Sequence, residues 1–91
     1  MPQVDRLLTF HTDPGHGWLE TTIQELMKYG IHNKVSKYSY RDGDRVFLEE
    51  DCDAGLLLRA YQEHGVVYGT MDKHVDYDHP IRRKPRFTVF I

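Results

Sequence analysis

Apolar and polar positions along the chain follow two different periods, and the switches between them mark the elements. Leu7-Leu8-Thr9-Phe10 reads as a short strand running into Asp13-Pro14-Gly15-His16-Gly17, and Trp18-Leu19-Glu20-Thr21 reads as a second strand. Thr22 and Glu25 have the spacing of a capping box, which starts a helix of about two turns with Ile23, Leu26 and Met27 on one face. Gly30 supplies its stop, with Ile31 placed for the accompanying apolar contact. Residues 35–40 and 45–49 predict a hairpin through Arg41-Asp42-Gly43-Asp44. A three-residue loop, Arg41-Asp42-Gly43, pairs Tyr38 with Val46 and Ser36 with Leu48, and collects Tyr38, Tyr40, Val46 and Leu48 on one face. A strict two-residue Asp-Gly turn divides those four between the faces, so the first register is preferred.

Asp51 is the expected N-cap of a longer helix over 54–64, where Ala54, Leu57, Leu58 and Tyr61 recur at helical spacing and Gly65 ends the run. The carboxylates before it sit where the helix dipole favours negative charge. Residues 66–68 are expected as a buried strand, 69–86 as an irregular and partly basic arm, and 87–91 as a terminal strand. The order predicts a single α+β domain over 1–91: a small, mostly antiparallel sheet of four to five strands with two helices packed on one face.

Size and charge narrow the class. Ninety-one residues support one core, and 40% apolar with 29% charged residues describes a globular chain. A core of this size leaves only a few kcal/mol of net stability, so a homodimer is a natural supplement. A formal charge of −2 argues against a general nucleic-acid or membrane-surface binder. The lone cysteine, Cys52, excludes an intrachain disulfide and fits a reducing, cytoplasmic setting. Met1-Pro2-Gln3-Val4-Asp5-Arg6 has no signal-peptide pattern, and no apolar run approaches membrane-spanning length. No cofactor is expected.

Four segments carry side chains capable of chemistry. The turn over 12–18 holds Asp13, His16 and the only tryptophan, Trp18; as a turn it needs Asp13 on the backbone, Pro14 fixing φ, and Gly15 or Gly17 at positive φ. His16 and Asp13 are also the pair an acid–base hydrolase acting on a phosphoester would use. His11, His16, His74, Asp76 and His79 would supply a metal site if the turn and the 74–79 segment were adjacent, with Asp13 beside them, though their spacing follows no standard metal pattern. Glu49, Glu50, Asp51 and Asp53 form an acidic patch that caps a helix or docks a basic partner, and these carboxylates oppose ionisation of Cys52. Arg82, Arg83, Lys84 and Arg86, followed by Phe87, are either a solvated arm or a phosphate-contacting stretch in a nucleic-acid binder. No phosphate-cradling loop, dinucleotide fingerprint or nucleophile elbow occurs.

Two resemblances bear on these segments. Asp13-Pro14-Gly15-His16-Gly17 resembles the place where zinc-dependent peptidoglycan amidases present their first histidine ligand. Those enzymes need a further glutamate and histidine on a broad α/β scaffold that 91 residues cannot build, so no ligand is carried over. Across most of its length the chain resembles a group of small proteins encoded by bacteriophages, plasmids and their bacterial hosts. The resemblance runs through 10–20 (Phe-His-Thr-Asp-Pro-Gly-His-Gly-Trp-Leu-Glu), Tyr38-Ser39-Tyr40, 48–54 (Leu-Glu-Glu-Asp-Cys-Asp-Ala) and Pro80-Ile81-Arg82. It implies a phage or mobile-element accessory protein with a protein partner of host or phage, and it brings no activity and no catalytic residue. The expectation is therefore a non-enzymatic binding module, an inhibitor of a host enzyme or defence complex being one form. Its face would use Asp13, His16, Trp18, Glu49, Glu50 and Asp51, with Trp18 as an exposed anchor.

Overall fold

The computed structural model describes residues 3–90. Strand β1 (Arg6–Thr12) turns through 13–16 into β2 (Gly17–Thr22), which runs directly into helix α1 (Ile23–Lys28). A 3₁₀ turn (His32–Lys34) leads to β3 (Tyr40–Asp42), β4 (Arg45–Glu49), helix α2 (Ala54–Glu63), β5 (Tyr68–His74) and a second 3₁₀ turn (Pro80–Arg83). The five strands make one sheet in the order β3-β4-β2-β1-β5, antiparallel except where β5 lies parallel to β1. A small, mostly antiparallel α+β fold is thus what the sequence builds, and among the described residues no helix is long and apolar enough to cross a membrane.

Both helices end as their glycines dictate. Gly30 at φ +67° and Gly65 at φ +67° occupy the left-handed region. The amides of Ile31 and Val66 then reach back to the carbonyls of Leu26 (3.0 Å) and Tyr61 (2.8 Å). Thr22 caps α1 by accepting from the Glu25 amide at 3.2 Å. The reciprocal half of the box is missing, because the Glu25 carboxylate turns to Arg6 Nε at 2.6 Å and to the Tyr61 hydroxyl. Met27 stands exposed while Ile23 and Leu26 face inward. At α2 the N-cap is Asp53 rather than Asp51, and its side chain makes no cap bond. Its buried carboxylate instead accepts from the Ser36 amide (3.0 Å) and hydroxyl (2.7 Å) and from the Ser39 hydroxyl, clipping the 36–39 loop to the helix start.

Register assigns the two faces of the sheet. Phe10 opposite Leu19 and Leu19 opposite Leu48 put Leu8, Phe10, Leu19, Val46 and Leu48 beneath the helices. There they join Ile23, Leu26, Leu57, Ala60 and Tyr61 in the main core. His11, Trp18, Tyr40 and Phe47 point the other way, and Trp18, Tyr40 and Phe47 form a second cluster with Ile81 of the arm. The hairpin therefore differs from both registers weighed above. Asp42 pairs with Arg45 around Gly43 and Asp44, with Gly43 at φ +60°, and Tyr40 pairs with Phe47. Tyr38 lies outside the strand and is exposed. This sheet is apolar on both faces over β4, so alternation there does not select a register.

The C-terminal third also departs from expectation. The strand expected over 66–68 begins at Tyr68, continues to His74 and is mostly exposed, so part of the supposed irregular arm is β5. Residues 75–86 then cross the second face. The segment 85–87 closes the outer edge of β3: the Arg41 amide donates to Pro85, the Phe87 amide to Ser39, and Tyr40 bridges Arg86. Phe87 enters the main core, but no terminal strand forms over 88–90, and Ile91 lies outside the described residues.

Candidate functional site

The 12–18 turn is built around one carboxylate. Asp13 Oδ1 accepts from the amides of Gly15 (3.0 Å) and His16 (2.9 Å) and from Arg82 Nη2 (2.8 Å). Its Oδ2 accepts from the His79 amide (3.0 Å) and Arg82 Nε (2.6 Å). The side chain has no exposed surface, and the Arg82 pair holds the carboxyl far below the usual carboxylate range against the cost of burial. A group so engaged is a latch between the turn and the arm, with no lone pair left to take a proton or a metal. Neither glycine of the turn has positive φ. They serve close approach: a Cβ on Gly17 would lie 2.8 Å from the Phe10 ring, and one on Gly15 would lie 3.0 Å from Arg82.

Trp18 is buried, at 1% exposure, rather than an exposed anchor. The arm is the reason. The Arg82 guanidinium, fixed by Asp13, lies 5.2 Å over the indole, and His79 and Tyr40 stand 6.0 and 6.3 Å away. The indole Nε1 is buried and has no hydrogen-bond partner among the described residues.

Above this floor opens a cleft of about 300 Å³, lined by His16, Trp18, Tyr38, Tyr40, Glu49, Asp51, Cys52, Arg82 and Arg86. Two walls of opposite charge face each other. On one, Arg82 rests on Trp18 and Arg86 lies 4.6 Å over the Tyr40 ring. On the other, Glu49 accepts from the amides of Asp51 (3.0 Å) and Cys52 (2.9 Å), and His16 Nδ1 lies 3.6 Å from its second oxygen. The Cys52 thiol is exposed, and its hydrogen bond to Glu49 pushes its pKa up, so it is held as a thiol rather than a nucleophilic thiolate.

Four of the six residues expected on a binding face, His16, Trp18, Glu49 and Asp51, thus meet in one cleft, with Asp13 directly beneath through Arg82. Glu50 is exposed beside Gly17 and does not line it. The basic stretch divides: Arg82 is held by Asp13 and Lys84 by Asp42 at 2.6 Å, while Arg83 and Arg86 have no carboxylate partner among the described residues. The proposed metal ligands do not assemble. His11 bonds Glu20 at 2.7 Å, and His74 bonds Thr12 at 2.8 Å and Asp76 at 3.0 Å. His79 accepts from the Ile81 amide at 3.1 Å through Nδ1 and meets the His11 ring edge-to-face at 5.2 Å. Among the described residues no three histidine, cysteine or carboxylate side chains are arranged to hold a metal. Burial and the neighbouring His11 lower the His79 pKa.

Sequence reasoning missed Tyr38 and Tyr40 as cleft residues, although the Tyr38-Ser39-Tyr40 motif marked the place. It also set the acidic patch and the basic arm apart as separate features, whereas Glu49 and Asp51 of the one and Arg82 and Arg86 of the other line the same cleft. Comparison with protein-family models, curated proteins and solved structures returned no match.

Proposed function

We propose that the protein is a non-enzymatic binding module that docks a segment of another protein in the cleft between Arg86 and Asp51. The observation that carries this reading is the pairing of a cationic wall with an anionic one over an aromatic floor. Such a surface recognises a peptide carrying both signs of charge, and aromatic and arginine side chains are the groups on which interface energies concentrate. The hydrolase alternative has less to stand on, since Asp13 is fully engaged and each histidine near it is occupied with a neighbour or set apart. A nucleic-acid reading is weakened by the carboxylates that hold Arg82 and Lys84. The narrower reading, a phage or mobile-element protein that inhibits a host enzyme, is supported by the sequence resemblance alone.

The test uses exposed rim residues, because Trp18 and Glu49 are structural. Tagged protein is used to capture partners from a bacterial lysate, alongside Arg86→Glu, Asp51→Lys and Tyr38→Ala variants and a remote Lys28→Glu control. The reading expects a captured protein that the rim variants lose and the control keeps. Equal capture by all four variants refutes it.

A further inference from the structure

The chain treats the two edges of its sheet differently. The edge at β3 is three residues long and is closed by the 85–87 segment. The edge at β5 is seven residues long, in unbroken register with β1, and contains no proline. From Thr70 to His74 every residue is exposed, and among the described residues no other segment hydrogen-bonds its outer side. An open edge of this kind is a template for another strand. Beside it lies an apolar patch on the uncovered face. Met71 is 48%, Leu7 67% and Val4 52% exposed, and Leu7 and Val4 flank Gly69.

We propose that the occupant is a second copy of this chain, joined by antiparallel pairing of β5 with the partner's β5 around a two-fold axis normal to the sheet. Symmetry and charge select one register. The axis keeps both helix layers on the same side, so each residue must face one from the same face of the partner strand. That leaves registers centred on Gly69, Thr70, Met71, Asp72 or Lys73 as those that pair three or more residues. Centring on Asp72 or Lys73 sets like charges directly opposite, which is unfavourable. Centring on Gly69 or Thr70 leaves Lys73 and His74 beyond the end of the partner's strand. Centring on Met71 pairs the whole strand. Met71 then meets its own copy, Tyr68 faces the partner's His74, and Asp72 faces the hydroxyl of the partner's Thr70. Lys73 falls opposite the partner's Gly69, the one position that offers it no side chain. Of the apolar patch, Met71 lies on the axis, and Leu7 and Val4 flank the Gly69 position that the aliphatic stem of the partner's Lys73 faces. The strand is complementary to itself in this register, which is why a second copy is chosen over an unrelated peptide.

Gly69 is the handle for the test. Its φ is not positive, and a Cβ there meets Leu7 and Val4 only at ordinary contact distances of 3.8 Å, so substitutions leave the fold intact. Gly69→Lys places a cation opposite the partner's Lys73, and Gly69→Glu places an anion there, twice per dimer. Light scattering coupled to size exclusion, over a range of concentrations, reads the dissociation constant, with circular dichroism confirming the fold. The wild type is expected at twice the chain mass at high concentration. Gly69→Lys weakens the dimer by about two- to thirtyfold and Gly69→Glu tightens it over a similar range. A monomer at all concentrations overturns the proposal, as does a dimer indifferent to the sign of charge at position 69. A dimer broken by Arg86→Glu instead would place the contact at the cleft and overturn it as well.

Discussion

Replacing Asp13 by alanine should be the most damaging single change on the second face of the sheet. The carboxylate accepts from three backbone amides and two guanidinium nitrogens in a site from which its side chain is wholly excluded from water. Its loss leaves the amides of Gly15, His16 and His79 without an acceptor and Arg82 without a counter-charge. Breaking a buried pair from one side costs about 3–5 kcal/mol, which in a domain of this size is a fall in Tm of at least about 12 °C. Arg82→Ala should cost less, about 1–3 kcal/mol, because the carboxylate keeps its three amide donors. Urea denaturation followed by Trp18 fluorescence measures both, since the chain has one tryptophan and it lies in this cluster. Acid provides an independent readout. The folded Asp13 carboxyl stays ionised far below the ordinary value of about 4, so its contribution is complete above that pH and is lost progressively as pH falls below it. Asp13→Asn should lack that acid slope. An Asp13→Ala variant within about 1 kcal/mol of the wild type, a loss typical of one ordinary hydrogen bond, with unchanged Trp18 emission, refutes the latch.

Other consequences are as direct. Gly17→Ala drives a methyl to 2.8 Å from the Phe10 ring and should cost about 1–3 kcal/mol, with Phe10→Leu in the same chain recovering part of it in urea melts. His79 has a depressed pKa in the fold, so stability is complete above about 6.5 and declines as pH falls below it, until the folded imidazole also takes a proton. A His79→Gln variant compared across that window by thermal melting should lack the decline. Tyr61→Phe removes the hydroxyl bond to Glu25 and should cost about 1 kcal/mol. Burial, and then Glu25, raise the Tyr61 pKa, so the wild type loses stability as pH rises above about 10, a loss that Tyr61→Phe should not show.

How far the sequence foretold this arrangement depends on where the determining contact lies. Helix ends were readable because Thr22, Gly30 and Gly65 act on amides and carbonyls a few residues away. The fold class, a small mostly antiparallel sheet with two helices, followed from periodicity. The burial of Trp18 was not readable, since its cover comes from Arg82 and Ile81, more than sixty positions distant. The same holds at α2, where Asp51 was the expected cap and the residue at the N-cap, Asp53, sends its carboxylate to Ser36 and Ser39. The strand β5 was hidden because exposed edge residues such as Thr70, Asp72 and Lys73 carry no apolar alternation. Within the candidate site, the residue types were visible one segment at a time, and their convergence across the cleft was not.

The latch between Asp13 and Arg82 closes a loop of 69 residues, and β5 pairs with β1 across a comparable span. Contacts so distant in sequence form late, because chain entropy must be lost before they give anything in return. During synthesis the helices and the hairpin can therefore take shape while the cleft does not yet exist, since Arg82 and Arg86 are made after all of them. A chain interrupted before the second 3₁₀ turn would keep much of its main core and present an uncovered indole in place of the cleft. Formation of the cleft is thereby tied to closure of the 75–86 segment over Trp18.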